Sequence, residues 1–236
     1  MIGTGPWHLR EPSIEQEHRF QRAITLHSLT DAWIRELNGK QERPFAIERM
    51  TRITLNPNLW LFEKKRLDDL PLDLGKLVGS QNIEEFMYEL ETTIQVIQIS
   101  TLENANQAMS QTQELKSVLQ KASWNHGKLR AEVIWKGGWM EDAETAFHAF
   151  LEGCPFAPGS FMPERTSKTE FTFLWTQPPG RLPMLKDSPC VHLMESLFEE
   201  WIRGYFYTLG RTLRLETRAI EIPSGRAIRF TLLSSS

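Results

Sequence analysis

Two cysteines and two histidines are the residues in this chain whose types suggest chemistry. Cys154 follows His148 by six residues, and His192 follows Cys190 by two. A thiol beside an imidazole can serve as a nucleophile, because the ring lowers the thiol pKa. The run Cys154-Pro155-Phe156-Ala157-Pro158 matches no nucleophile motif, which favours a structural thiol. Cys190 stands near a helix start, where the dipole lowers a thiol pKa, so it is the more reactive of the pair if it is exposed. The same four residues have the ligand types of a zinc site. Their spacing is unlike the compact Cys-x2-Cys knuckles, so no metal site and no cofactor are expected.

Other chemical signals are weaker. Glu141-Asp142 and Glu199-Glu200 are adjacent on helical stretches, where neighbours point apart and do not converge on a substrate. Gly137-Gly138 and Gly3-Thr4-Gly5 lack the Lys and Ser/Thr of a phosphate loop. Aromatic residues gather in the second half of the chain. Trp135, Phe147, Phe173, Trp175, Trp201 and Tyr205, with Cys190, are the candidate lining of an apolar pocket. Solid core is the competing use of the same side chains.

The element that would position these residues is a helix within residues 188–210. Met194, Leu197, Phe198, Trp201, Ile202, Tyr205, Phe206 and Leu209 recur at steps of three and four, with Glu195, Glu199, Glu200 and Arg203 mostly opposite. Ser188 and Pro189 suit its start, and Gly210 suits a left-handed residue at its end. Alternation then predicts strands over 213–220 and 227–233, joined by Pro223-Ser224-Gly225, and another strand over 169–176.

Upstream, Ser13 caps a predicted helix that carries Leu26, Leu29, Trp33, Ile34 and Leu37 and ends at Asn38-Gly39. Residues 44–61 read as a hairpin or as short helices, and 67–79 as a packed connector. Residues 82–91 predict a helix, which either continues through 92–99 or gives way to a β-branched strand. A narrow stripe over 102–122 predicts a helix with one covered face, in a two-helix hairpin or a dimer contact. Trp124-Asn125-His126-Gly127 reads as a break, 129–135 as a strand, 141–151 as a short helix ended by Gly153, and 154–165 as a proline-bearing loop. The fold class is therefore α+β. Residues 1–122 read as mainly helical and 123–236 as α+β, and a single shared core is equally consistent.

Composition bounds the function. The 236 residues carry a net charge of −3, with 40% hydrophobic and 24% charged residues. This is ordinary for a globular protein and speaks against a nucleic-acid binder. Lys64-Lys65-Arg66 is followed by Asp68-Asp69 and reads as a solvated surface. No apolar run is long enough for a membrane span. With two cysteines and no signal-like start, a reducing cytoplasmic setting is expected.

The order of strand, proline-rich loop, aromatic helix, strand, turn and strand over residues 169–233 resembles the 4-vinyl reductase domain, a relative of the haem–NO-binding and Golgi-trafficking small-molecule fold. The resemblance is carried by Cys190 at the helix start, Gly204 and Gly210, Glu216-Thr217-Arg218-Ala219, Gly225, and Ile228-Arg229-Phe230. Ala219 and Ile228 stand where that family has cysteines that can hold zinc. The resemblance implies a non-enzymatic small-molecule-sensing or carrier domain, often a dimer, with an apolar pocket beneath the helix. Its N-terminal helices would meet a protein partner or a second copy. A pure scaffold with a solid core, or a thiol enzyme using Cys154 or Cys190, are the alternative readings.

Overall fold

Ser13 starts the first helix as its type suggests. Its hydroxyl accepts from the Gln16 amide, and the Gln16 side chain accepts from the Ser13 amide in return. In the computed structural model this helix, α1 (Ile14–Asn38), is followed by α2 (Leu74–Val78), α3 (Ile83–Ala108), α4 (Thr112–Ile134) and α5 (Ala143–Gly153). A 3-10 turn (Pro158–Ser160), strands β1 (Phe161–Thr166) and β2 (Glu170–Trp175), helix α6 (Val191–Leu209), and strands β3 (Leu213–Ile222) and β4 (Gly225–Ser234) complete the order. The structure describes residues 12–39, 74–78, 82–108, 112–137, 140, 142–167, 170–178, 190–210 and 212–234. The expectations for 44–61, most of 67–79, and the Ser188-Pro189 start lie outside these residues.

The α+β class holds, with helices first and a four-stranded antiparallel sheet at the C-terminal end, ordered β1-β2-β4-β3. β2 pairs with β4 from Glu170↔Leu233 to Trp175↔Ile228, so the late strand closes on the middle of the sheet. The strand predicted over 169–176 and the hairpin around Gly225 are present, and Gly225 takes a positive φ of 112° that a side chain would resist.

Several expectations are corrected, the single helix over 102–122 among them, since that stretch is divided between α3 and α4, and the open alternative at 92–99 is decided. The strand over 129–135 is the end of α4, and Trp124-Asn125-His126-Gly127 lies inside that helix. Leu115, Leu119, Ala122, Ser123, Gly127 and Ala131 form a buried helical stripe, which puts Leu129 and Val133 outside. The β-branched stretch 92–99 stays helical in α3, because Ile94, Ile97, Thr101, Leu102 and Ala105 give a buried face at helical steps. The loop over 154–165 contains β1. Pro163 is tolerated there because β1 is an edge strand, and its register shifts between Pro163 and Arg165. Gly210 ends α6 in extended backbone rather than left-handed, with φ −158°. Glycine is needed there because a Cβ would collide with the Met140 carbonyl oxygen.

The shift in composition at 122/123 falls within α4. One apolar cluster joins Leu29, Trp33 and Leu119 from before that point to Phe147, Phe173 and Trp201 after it. The 102–119 stripe is spent on this cluster: Leu102, Ala105, Leu115 and Leu119 are fully buried within the chain.

Candidate functional site

α6 is the helix on which the site is built, and all the apolar residues of its predicted stripe are buried. One side of it meets α4 at a close crossing. A Cβ on Gly127 would collide with the Trp201 carbonyl oxygen, and a Cβ on Gly204 with that of Trp124. The Trp201 indole donates to His126 Nδ1 at 2.9 Å. His126 Nδ1 therefore accepts, and its Nε2 carries the proton toward Ser28 Oγ, 3.0 Å away. This chain ties α6 to α4 and α4 to α1. Burial holds His126 near pKa 4 instead of 6.5, with Arg130 and Arg35 pushing the same way.

Toward the start of α6, Met194 and Phe198, on the face that carries Trp201, open on a cavity of about 370 Å³. Its walls come from α1, α3, the 155–160 segment, the end of β2 and α6. Ala23, Leu26, Ile94, Phe156, Met194 and Phe198 give it apolar surface. Arg19, Arg22, Glu91, Gln95, Gln98 and Gln177 give it polar groups. That mixture, mostly apolar with a few polar groups, is the composition of a small-molecule pocket.

Arg19 and Glu91 hold two of these walls together. Arg19 Nε and Nη2 reach Glu91 Oε1 and Oε2 at 2.7 and 2.6 Å, and Nη1 reaches Glu84 at 2.8 Å. The Glu91 bond, together with the nearby carboxylate charges, raises the Arg19 pKa against the effect of burial. α1 is thus clamped to α3 at the cavity edge.

Of the pocket residues expected from sequence, Trp175 lines the cavity. Phe147, Phe173, Trp201 and Tyr205 are buried in the packed core, where Phe147 and Phe173 rings stand 4.7 Å apart and Tyr205 donates to the Ala149 carbonyl at 3.2 Å. Cys190 is buried as the residue that precedes α6, and Trp135 is half-buried, packed against the apolar core just beyond α4. The aromatic cluster fills the space between α6 and the sheet, and the cavity lies beside it, sharing Phe156, Trp175 and Phe198 as wall. Reasoning from sequence missed Arg19, Arg22, Glu91 and Gln98. On isolated helices they read as a solvated face, and only the packing of α1 against α3 and α6 brings them together.

The thiols are set apart from the histidines. Cys154 is buried and accepts from the Phe156 amide at 3.4 Å, and burial pushes its pKa far up. Burial also raises the Cys190 pKa, with Glu103 adding to it. His148 is exposed on α5, and His192 is exposed and 3.6 Å from Glu195. Among the described residues no cluster of His, Cys, Asp and Glu has the arrangement of a metal site. No described helix is long and apolar enough to cross a membrane.

The chain matches no known family model, no curated protein and no solved structure.

Proposed function

We propose that this is a non-enzymatic protein that binds a small apolar-bodied molecule between α1, α3 and α6 and relays occupancy to a protein partner or second copy. The observation that carries the reading is the cavity of about 370 Å³, whose apolar lining is shared by the first helix and the last. A ligand there would bridge elements distant in sequence, and so stabilise their packing. The resemblance of residues 169–233 to the 4-vinyl reductase domain supports the same reading, since it implies an apolar ligand against the long helix. The raised pKa values of both buried thiols weigh against thiol catalysis.

Native mass spectrometry of the protein purified from its own host, beside the denatured mass, tests the proposal. Extra mass of a small organic molecule is expected, and Ala23→Phe, which fills the cavity, should abolish it. A bare native mass would overturn the reading and favour a scaffold with an unfilled seam.

A further inference from the structure

Two arginines line the cavity, and they are in different states. Arg19 is saturated by Glu91 and Glu84. Arg22, one turn further along α1, makes no hydrogen bond and no ion pair among the described residues. It is nevertheless half-buried, and burial lowers its pKa while Cys154 and Glu91 pull the other way. A guanidinium carries a fork of donors and no acceptor, and withdrawing it from water without a partner is costly.

The local charge has the same sense. Glu91 is the acid of the cavity lining, and both its oxygens are taken by Arg19. Glu84 also pairs with Arg19 from outside the lining, so Arg19 is fully neutralised and Arg22 is the lining cation with no acid at contact distance among the described residues. Gln98 adds a polar group. It is 2% exposed, and its Nε2 reaches the Leu26 carbonyl at 3.5 Å, which leaves an amide hydrogen uncommitted. The apolar surface of Ile94, Met194 and Phe198 completes the lining.

We infer that the cavity takes an apolar-bodied monoanion, a carboxylate or sulfonate, whose acid group pairs with Arg22 and whose body lies against Ile94, Met194 and Phe198. This rests on the cavity being a ligand site and adds the charge of the ligand. Arg22 suits the task because its planar fork matches two acid oxygens at once.

Two dyes of the same body separate the claims: 8-anilinonaphthalene-1-sulfonate, an anion, and N-phenyl-1-naphthylamine, its uncharged counterpart. Each is titrated by fluorescence against the full chain and against Arg22→Gln, Ala23→Phe and Ala157→Trp. Ala157 is an exposed cavity residue, so its variant crowds the site even if Ala23→Phe fails to fold. Arg22→Gln should weaken the anionic dye by about ten-fold and leave the neutral dye within about two-fold, since the apolar lining is untouched. If Arg22→Gln leaves the anionic dye unchanged, or weakens both dyes equally, the charge assignment is overturned and the cavity stands as a ligand site. If the wild-type chain binds neither dye, or the crowding variants bind both unchanged, the ligand site itself is overturned.

Discussion

Gly127 of α4 and Gly204 of α6 each lie against the carbonyl of a tryptophan three residues before the other. Gly127 meets Trp201, and Gly204 meets Trp124. The sequences Trp124-Asn125-His126-Gly127 and Trp201-Ile202-Arg203-Gly204 are thus two copies of one contact, read from opposite helices. Each glycine lets the partner backbone approach where a side chain would stand.

This reciprocity makes a sharp prediction. Alanine is the better helix former by about 1 kcal/mol, yet Gly127→Ala and Gly204→Ala should each destabilise the protein by about 3 kcal/mol, at the upper end of overpacking costs. Urea unfolding monitored by tryptophan fluorescence measures it. Unchanged midpoints would mean that the helices can separate freely at the crossing.

His126 makes stability depend on acid. Its folded pKa of about 4 lies below the ordinary 6.5, so between these values the unfolded chain binds a proton that the folded chain refuses. The contribution is complete above pH 6.5, falls as pH drops, and levels off below about 4, for a loss of about 3 kcal/mol. Gln has no proton to gain and can still accept from Trp201 and donate to Ser28. His126→Gln should therefore flatten the stability–pH curve across this window. A parallel curve would remove the assignment.

Glu195 was expected on the polar side of its helix, and the structure buries it to 2% exposure. Arg226 Nη2 stands 3.0 Å from its Oε2. Removing the cation alone strands a buried carboxylate, so Arg226→Ala should cost about 3 kcal/mol. Glu195→Leu combined with Arg226→Leu should cost less than Arg226→Ala, because no charge is left inside. Thermal unfolding of the single and double variants gives the order, and a double variant less stable than Arg226→Ala contradicts it.

Both thiols should be slow. Burial disfavours the thiolate at Cys154 and Cys190, and the thiolate is the attacking form. Alkylation by iodoacetamide at neutral pH should be at least about 100-fold slower in the native chain than in denaturant. A single fast cysteine, found by peptide mass, would revive thiol chemistry.

The C-terminal half was legible because its signals are local. The α6 stripe, the alternation of β2, β3 and β4, and the turn at Gly225 each follow from period and turn chemistry. α4 was obscured because Gly127 looks like a stop until the partner helix is present. Pro163 hid β1, since a proline argues against a strand unless the strand is known to be at an edge. The cavity was illegible for a third reason. Arg22 and Gln98 acquire meaning from the packing of α1 on α3 and α6, and no spacing within one helix encodes it.

The sheet order β1-β2-β4-β3 has a consequence for how the chain is made. β2 is translated some fifty residues before β4, the strand that covers its second edge, and both α1 and α4 wait for α6. A nascent chain that has released β2 but not yet β4 exposes a strand whose side chains are destined for burial on both faces, with open backbone along one edge. Ribosome pausing after β2 has emerged from the ribosome and before β4 has would therefore prolong an aggregation-prone state, and codon changes that slow that interval should lower soluble yield with no change in the amino-acid sequence.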